Sequence, residues 1–254
     1  MKKWMAIALV AVLAVTLLAG CGTAEKKKIV VGLDDHFPPM GFRDAKNNIV
    51  GFDVDMAKEA AKRLGMQVEF KPIDWNSKEA ELNGKRIDVL WNGLTITEKR
   101  KQNILFTNAY MENKQIIVVA AKSPVKTKAD LAGKVVGVQD GSSSIEAVEK
   151  EAAVAKSFKE LKKYPDNVAA LMDLKAGRID ALVVDEIVGR YYIAKKAGEY
   201  AVLNDNFGSE EYGVGLRKDD KDLQAKLQKA LDEMKKDGTS AKISQQWFGA
   251  NIVK

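Results

Sequence analysis

A chain of 254 residues of which 46% are apolar can build one large core or two modest ones, which excludes an intrinsically disordered protein. The formal charge is +6, and removing Lys2 and Lys3 with the leader described below leaves 39 basic residues against 35 acidic, a balance too mild and too evenly mixed for a nucleic-acid binder. One cysteine and one histidine exclude a disulfide within the chain and argue against a Cys/His zinc site.

Residues 1–20 combine a basic start, an apolar run over 4–18 and the small pair Ala19 and Gly20, the pattern of a secretory signal peptide. Leu18, Ala19, Gly20 and Cys21 look like a bacterial lipobox, in which the cysteine is lipidated and becomes the new N-terminus. The competing reading is an uncleaved anchor, although the apolar run lies at the short limit for crossing a bilayer. Residues 21–28 then read as a lipidated tether, with the protein on the extracytoplasmic face of the cell membrane.

From residue 29 the fold is expected to begin with a buried strand over 29–33, which gives way to a loop carrying Asp34, His36, Phe37 and two prolines. Asp53 or Asp55 is expected to cap a helix running through Arg63, with Gly65 beyond its end. A strand over 68–70 delivers Asp74 and Trp75 to the next loop, and a helix over 77–83 stops at Gly84. In the stretch 86–100, the buried-strand residues Ile87, Val89 and Leu90 run into Asn92 and Gly93. Two threonines then lead to helix formers ending in Arg100. A strand, a polar turn and a helix start leave backbone N–H groups free beside a guanidinium, an arrangement suited to a small carboxylate.

Further on, residues 104–106 and Tyr110 look strand-like, and 115–121 is an apolar run long enough to cross between lobes. A helical turn over 128–131 precedes a strand over 135–138 that ends in Gln139 and a Gly-Ser turn, Gly141 to Ser144, opening a helix at Ile145. This is a second anion-friendly N-terminus. After an amphipathic helix over 167–175, Gly177 to Asp185 repeats the logic of Lys85 to Gly93. In both, Arg-Ile-Asp starts an apolar strand and a polar or flexible position follows five residues after the aspartate. The chain therefore contains two similar α/β units. Helices over 223–234 and 244–248 close it, with Trp247 and Phe248 facing inward.

Strands alternating with helices imply mostly parallel sheets, whose ligands bind beyond the carboxyl ends of the strands. Phe37, Trp75, the stretch from Asn92 to Arg100, Ser142, Ser143 and Asp185 all follow predicted strands. Arg100 with Thr95, Ser142 and Ser143 suits a carboxylate, Asp185 suits an ammonium, and Phe37 and Trp75 offer flat apolar walls, the three features of an α-amino acid. Each has a plainer reading as well: Arg100 as a surface residue, Asp185 as the cap of a helix beginning at Ile187, Phe37 and Trp75 as core, and His36 as a lip residue.

Over nearly the whole mature chain the sequence resembles the solute-binding proteins of polar amino-acid ABC importers. The matching stretches are 51–55, 93–100, 138–142, 177–182 with Asp185, 211–215 and 246–249. The resemblance implies a two-lobed periplasmic-binding-protein-like α/β fold, each lobe a mostly parallel sheet flanked by helices, with the ligand in the interlobe cleft. Lobe 1 would comprise 29–114 and 209–254, and lobe 2 would comprise 115–208. It implies that Arg100 and the N–H groups of Thr95 and Ser143 hold an α-carboxylate, while the Gly93 carbonyl, the Thr95 hydroxyl and Asp185 hold the α-ammonium. Phe37 and Trp75 would flank the side chain, and Asp34, Asn92 and Gln139 match positions that vary with specificity.

Asp34 would suit a cationic side chain or an amide, so the implied ligand is a basic, amide or cystine-like L-amino acid, passed by a monomer to a membrane permease without cofactor, metal or catalysis. Trp91 and Asn92 depart from the small residues of many relatives and could reshape the side-chain pocket. Ser142 to Ser144 replace a more usual threonine pair. The alternative is an enzyme on the same scaffold, similar to the cyclohexadienyl or prephenate dehydratases, which needs a general acid in the cleft. Glu186 neighbours Asp185 but should point to the opposite face. A ligand sensor coupled to a partner protein is a third reading, for which the sequence offers no signalling domain.

Overall fold

The apolar runs become the strands of two five-stranded sheets in the computed structural model, which describes residues 27–254; the leader, Cys21 and the tether as far as residue 26 lie outside the described residues. The first sheet has the order β5-β1-β6-β13-β7, formed by Gln67–Pro72, Lys28–Leu33, Val89–Leu90, Gly215–Arg217 and Ile104–Phe106. The second has the order β10-β9-β11-β8-β12, formed by Glu160–Tyr164, Val135–Gln139, Ala181–Asp185, Met111–Ala120 and Tyr200–Tyr212. In each sheet one strand runs against the others: β13 in the first, β8 in the second. A small antiparallel sheet of β2 (His36–Phe37), β3 (Gly41–Arg43) and β4 (Ile49–Val50) carries Phe37.

The Arg-Ile-Asp repeat has the same role in both sheets. Asp88 Oδ2 accepts from Val30 N at 2.9 Å, and Asp180 Oδ2 accepts from Val135 N at 2.8 Å, so each aspartate ties the start of its own strand to the parallel strand beside it. A Cβ at Gly32 would come within 2.4 Å of Ile87 Cδ1 and one at Gly137 within 2.6 Å of Ile179 Cδ1; each isoleucine packs over a neighbouring strand only because that strand carries glycine there. Arg86 Nε reaches Glu81 at 2.8 Å and Arg178 Nε reaches Asp173 at 2.7 Å, each five residues back on the preceding helix.

Both faces of each sheet are covered. On the first sheet, Phe52, Met56 and Ala60 of α1 (Phe52–Arg63) and Leu227, Leu231 and Met234 of α8 (Lys221–Lys236) pack against Val31, Val89 and Leu216. Leu82 of α2 (Lys78–Asn83) joins Trp75, Ile87 and Leu90 on the other face. On the second, Leu171 of α6 (Asn167–Lys175) and Val188 of α7 (Glu186–Lys195) meet Val118, Leu182 and Val184, while Val148 of α4 (Ser143–Lys150) and Val154 of α5 (Ala152–Ser157) join the cluster of Ile117, Val119 and Val183. The alternation of Val118 with Ile117 and Val119 is that of a strand buried on both sides.

β8 and β12 link the sheets. They pair antiparallel from Met111 and Tyr212, beside the first sheet, to Ala120 and Tyr200 in the second, with two bulges in β12. The strand expected to cross between the lobes from residue 115 therefore begins at Met111. The longer partner, β12, has no strong sequence signal because it is an edge strand rich in Asn, Asp and Glu. Asp53 and Asp55 do not cap α1: Gly51 holds the cap position, Asp53 is fully buried in the first turn, and Asp55 accepts from Trp247 Nε1 at 2.9 Å. The last helix, α9 (Thr239–Phe248), starts five residues before the expected 244, because its polar first turn carries no apolar periodicity.

Candidate functional site

Trp91 and Asn92 follow β6 and point to opposite sides, as alternation requires. Trp91 is 2% exposed and packs on Tyr110, with ring centroids 6.3 Å apart, so it belongs to the core and does not reshape a side-chain pocket. Asn92 turns the other way and donates from Nδ2 to Asp34 O at 3.1 Å. Gly93 has φ 58°, and its N–H donates to Asp53 Oδ2 at 2.6 Å. That carboxyl also accepts from Tyr110 O–H at 2.9 Å, and burial pushes its pKa up to about 7. Asp53 thus holds the turn from beneath.

Thr95 sits between two ladder bonds, Ile96 N to Glu211 O at 2.8 Å and Gly213 N to Leu94 O at 3.0 Å. Its own N–H therefore faces away from the ladder and meets no acceptor among the described residues. Thr97 caps the short helix α3 (Glu98–Lys101), on which Arg100 lies. Arg100 is 7% exposed and donates to Thr95 O at 2.9 Å and to Gly141 O at 3.1 Å. No carboxylate of the described residues is in ion-pair contact with it. Burial lowers its pKa, against the opposing fields of Glu210 and Asp185. A surface role for Arg100 is excluded.

Opposite lies the second sheet's contribution. β9 ends at Gln139, and the turn through Gly141 (φ 69°) leads into α4, with Ser142 at the cap position and Ser143 first in the helix. Ser143 Oγ lies 2.9 Å from Thr95 Oγ1. The Ser142 hydroxyl is spent on Gln139 O at 2.8 Å. Asp185 ends β11 and occupies the cap position of α7, yet its side chain makes no cap bond. Instead Oδ1 accepts from Tyr212 O–H at 2.5 Å and Asn113 Nδ2 at 2.8 Å. Burial, and then the charge of Glu210, hold its pKa well above the usual carboxylate range. Glu186 pairs with Arg190 at 2.6 Å on α7.

The two sides touch. Lys78 Nζ donates to Gly141 O at 2.7 Å, and Gln139 Nε2 donates to Asp34 Oδ2 at 2.7 Å. Asp34 Oδ1 accepts from His36 N at 2.9 Å, Gln139 Oε1 accepts from Asn167 Nδ2 at 3.2 Å, and Asn92 Oδ1 is buried without a partner. Asp34, Asn92 and Gln139 thus form one buried polar cluster, in which burial raises the Asp34 pKa. Phe37 packs over the Gly93 turn, since a Cβ there would meet its ring at 2.8 Å. Trp75 is built into the core beside Leu82 and Ile87, with Lys78 Nζ 5.2 Å from the ring centroid. A cavity of about 370 Å³, lined by Asn76, Arg100, Gly141 and Ser142 among others, opens beside these contacts. Asp34, Asp35 and His36 have donor atoms within 4.8 Å of one another, as a metal site would need, but Asp34 is engaged by Gln139 and Asp35 by Arg43 Nε at 2.5 Å.

Asp53, Lys78, Asn113, Gln115, Glu210 and Tyr212 were not anticipated from the sequence. Asn113 and Gln115 did carry a signal: alternate polar positions on one face of a strand that is otherwise apolar, both buried.

Two α/β lobes, joined by a pair of crossing strands and meeting at the carboxyl ends of their sheets, are the architecture of a two-lobed binding protein. The sequence profile of the bacterial extracellular solute-binding proteins, family 3, matches residues 29–250, and the chain belongs to that family. It is 35% identical over 256 residues to the L-cystine-binding protein TcyJ of Escherichia coli, covering 98% of this chain and 95% of that one. Its fold is similar to an ABC uptake transporter substrate-binding protein from Streptococcus pneumoniae with bound histidine (TM-score 0.86, 37% identity, 89% of this chain and 94% of that one). It is also similar to an ancestral arginine-binding protein bound to arginine (TM-score 0.83, 42% identity, 89% and 100%).

Proposed function

We propose that this chain captures an L-amino acid with a cationic side chain outside the cytoplasm and delivers it to the permease of an ABC importer by closing its two lobes. One observation carries the reading. Arg100 is a buried cation and Asp185 a buried carboxyl group in one cleft, neither is ion-paired within the described residues, and Asp185 needs a cation beside it to ionise. A zwitterion supplies both missing charges. The α-carboxylate lies on Arg100 with the N–H groups of Thr95 and Ser143, and the α-ammonium lies on Asp185, the Thr95 hydroxyl and the Gly93 carbonyl. Asp34, Asn92 and Gln139 receive the side chain. Asp34 favours a cation because the donors on its carboxylate, His36 N and Gln139 Nε2, are neutral and the only ionisable base near it among the described residues is the exposed His36 imidazole at 3.8 Å. Phe37 and Trp75 wall the site and Ser142 shapes its turn. The protein acts as a monomer and binds without chemistry, lobe 1 comprising 29–114 with 209–254 and lobe 2 comprising 115–208. Titration with a panel of amino acids tests the reading.

Closure makes its own prediction. Gly141 has φ 69°, and a Cβ there would lie 2.8 Å from Asn76 Cα on the other lobe. Gly141→Ala should cost about 1–2 kcal/mol in the left-handed conformation, while lowering ligand affinity by more than that stability loss explains, because only the closed arrangement carries the clash. Calorimetry beside thermal melting separates the two, and unchanged affinity would count against closure at this contact. Anchoring through Cys21 is tested separately: Cys21→Ser should abolish incorporation of labelled fatty acid, and continued labelling would contradict it.

A further inference from the structure

Glu210 projects from β12 into the junction of the two lobes and the two crossing strands. Its Oε1 accepts from Asn113 Nδ2 at 2.6 Å, Gln115 Nε2 at 2.8 Å and Thr95 Oγ1 at 3.0 Å, and Ser143 Oγ lies 3.4 Å away. Those donors are all neutral, and no cation of the described residues is in ion-pair contact with the carboxylate. Asn113 Nδ2 also donates to Asp185 Oδ1 at 2.8 Å, so a single amide nitrogen bridges two carboxylates. Ser144 Oγ donates to Gln115 Oε1 at 2.6 Å, which turns the Gln115 amide so that its N–H groups face Glu210.

Hydrogen-bond bookkeeping then fixes the Thr95 hydroxyl. A carboxylate only accepts, and a hydroxyl has one proton and two lone pairs. Thr95, at 3.0 Å, is the nearer of the two hydroxyls to Glu210 Oε1 and gives it its proton, so the Ser143 hydroxyl, 3.4 Å from that oxygen and 2.9 Å from Thr95, donates to Thr95 instead. One lone pair of Thr95 remains, and it can only accept. Beside it stand the carboxyl groups of Asp185 and Glu210, and the charge of Glu210 raises the cost of ionising Asp185. A donor-only, positively charged group satisfies the lone pair and offsets the repulsion; a neutral hydroxyl satisfies only the first.

We propose that Glu210 is the residue that makes this site select an ammonium group: it orients the Thr95 hydroxyl as an acceptor and supplies, with Asp185, the second negative charge of the amine pocket. The inference rests on the amino-acid reading above. It also ties recognition to the lobe contact, because Thr95 is bridged to β12 next to Glu210 while Ser143 approaches from the second sheet.

The test is calorimetric titration of the mature wild-type protein, Glu210→Gln and Glu210→Asp with L-arginine, L-lysine and L-histidine, and with the 2-hydroxy analogue of whichever binds best. Glu210→Gln keeps the shape and an acceptor oxygen but removes the charge. It should weaken the amino acid about tenfold or more while changing the hydroxy analogue less than about threefold. Glu210→Asp, which keeps the charge, should stay closer to wild type in its preference for the amine. Equal losses for the two ligands in Glu210→Gln would mean a merely structural role and would overturn the proposal, as would no loss for either. Wild-type protein that binds none of the amino acids overturns the amino-acid reading and this inference with it. Wild-type binding beside an unaffected Glu210→Gln overturns the inference alone.

Discussion

Arg100→Ala should weaken the best amino-acid ligand by about 30-fold or more, measured by calorimetry, because the ligand's carboxylate would then be buried in the closed cleft without its cation, a cost of about 2–5 kcal/mol. The size of the effect follows from how Arg100 is held. Its two hydrogen bonds within the chain go to the carbonyls of Thr95 and Gly141, which orient the guanidinium without neutralising it. Folding stability should change far less than affinity, within about 2 kcal/mol, since the variant loses two bonds to carbonyls but also relieves an unpaired buried charge. Arg100→Lys should recover little: a point ammonium cannot span both carbonyls and still present a flat two-donor edge to a carboxylate. Unchanged affinity in Arg100→Ala would reject the carboxylate assignment.

Asp185→Asn should lower affinity by a comparable factor, about 30-fold or more, for the corresponding reason at the amine. The expected effect on the ligand-free protein has the opposite sign. Asp185 is 4% exposed, its partners Tyr212 and Asn113 are neutral, and Glu210 is a like charge beside it. Asparagine keeps an oxygen for both donors and removes the repulsion, so the melting temperature should hold or rise while binding falls. A variant with equal losses of stability and affinity would point to a structural carboxylate, and one with full affinity would dismiss Asp185 as the amine partner.

Much of the architecture was legible because it rests on local patterns. The buried runs at 29–33 and 135–138 and the Arg-Ile-Asp repeat announced two α/β units, and Asp88 and Asp180 make the same bond in each. Asn92, Gly93, Thr95, Arg100 and Asp185 could be singled out because each follows a predicted strand, whereas Gln139 was implied only by the family resemblance. What escaped was the set of residues whose role depends on long-range pairing. Glu210 lies in a polar edge strand, 115 residues from Thr95 in sequence, and nothing local distinguishes it from the solvated Glu211. Asp53 read as a helix cap because capping aspartates are common, whereas its partners Gly93 and Tyr110 lie 40 and 57 residues away. Trp91 read as a pocket residue because, with Asn92, it stands where many relatives have small residues; the alternation of the strand sends the two to opposite faces.

The most direct test is to refold the mature protein, so that any carried-over ligand is lost, and titrate it calorimetrically with the twenty amino acids, cystine and ornithine. A solute trap built around Arg100, Asp185 and Asp34 should give saturable one-to-one binding, tightest for an amino acid with a cationic side chain. Tightest binding to a neutral one would contradict the part assigned to Asp34, and no binding to any of them would contradict the account as a whole.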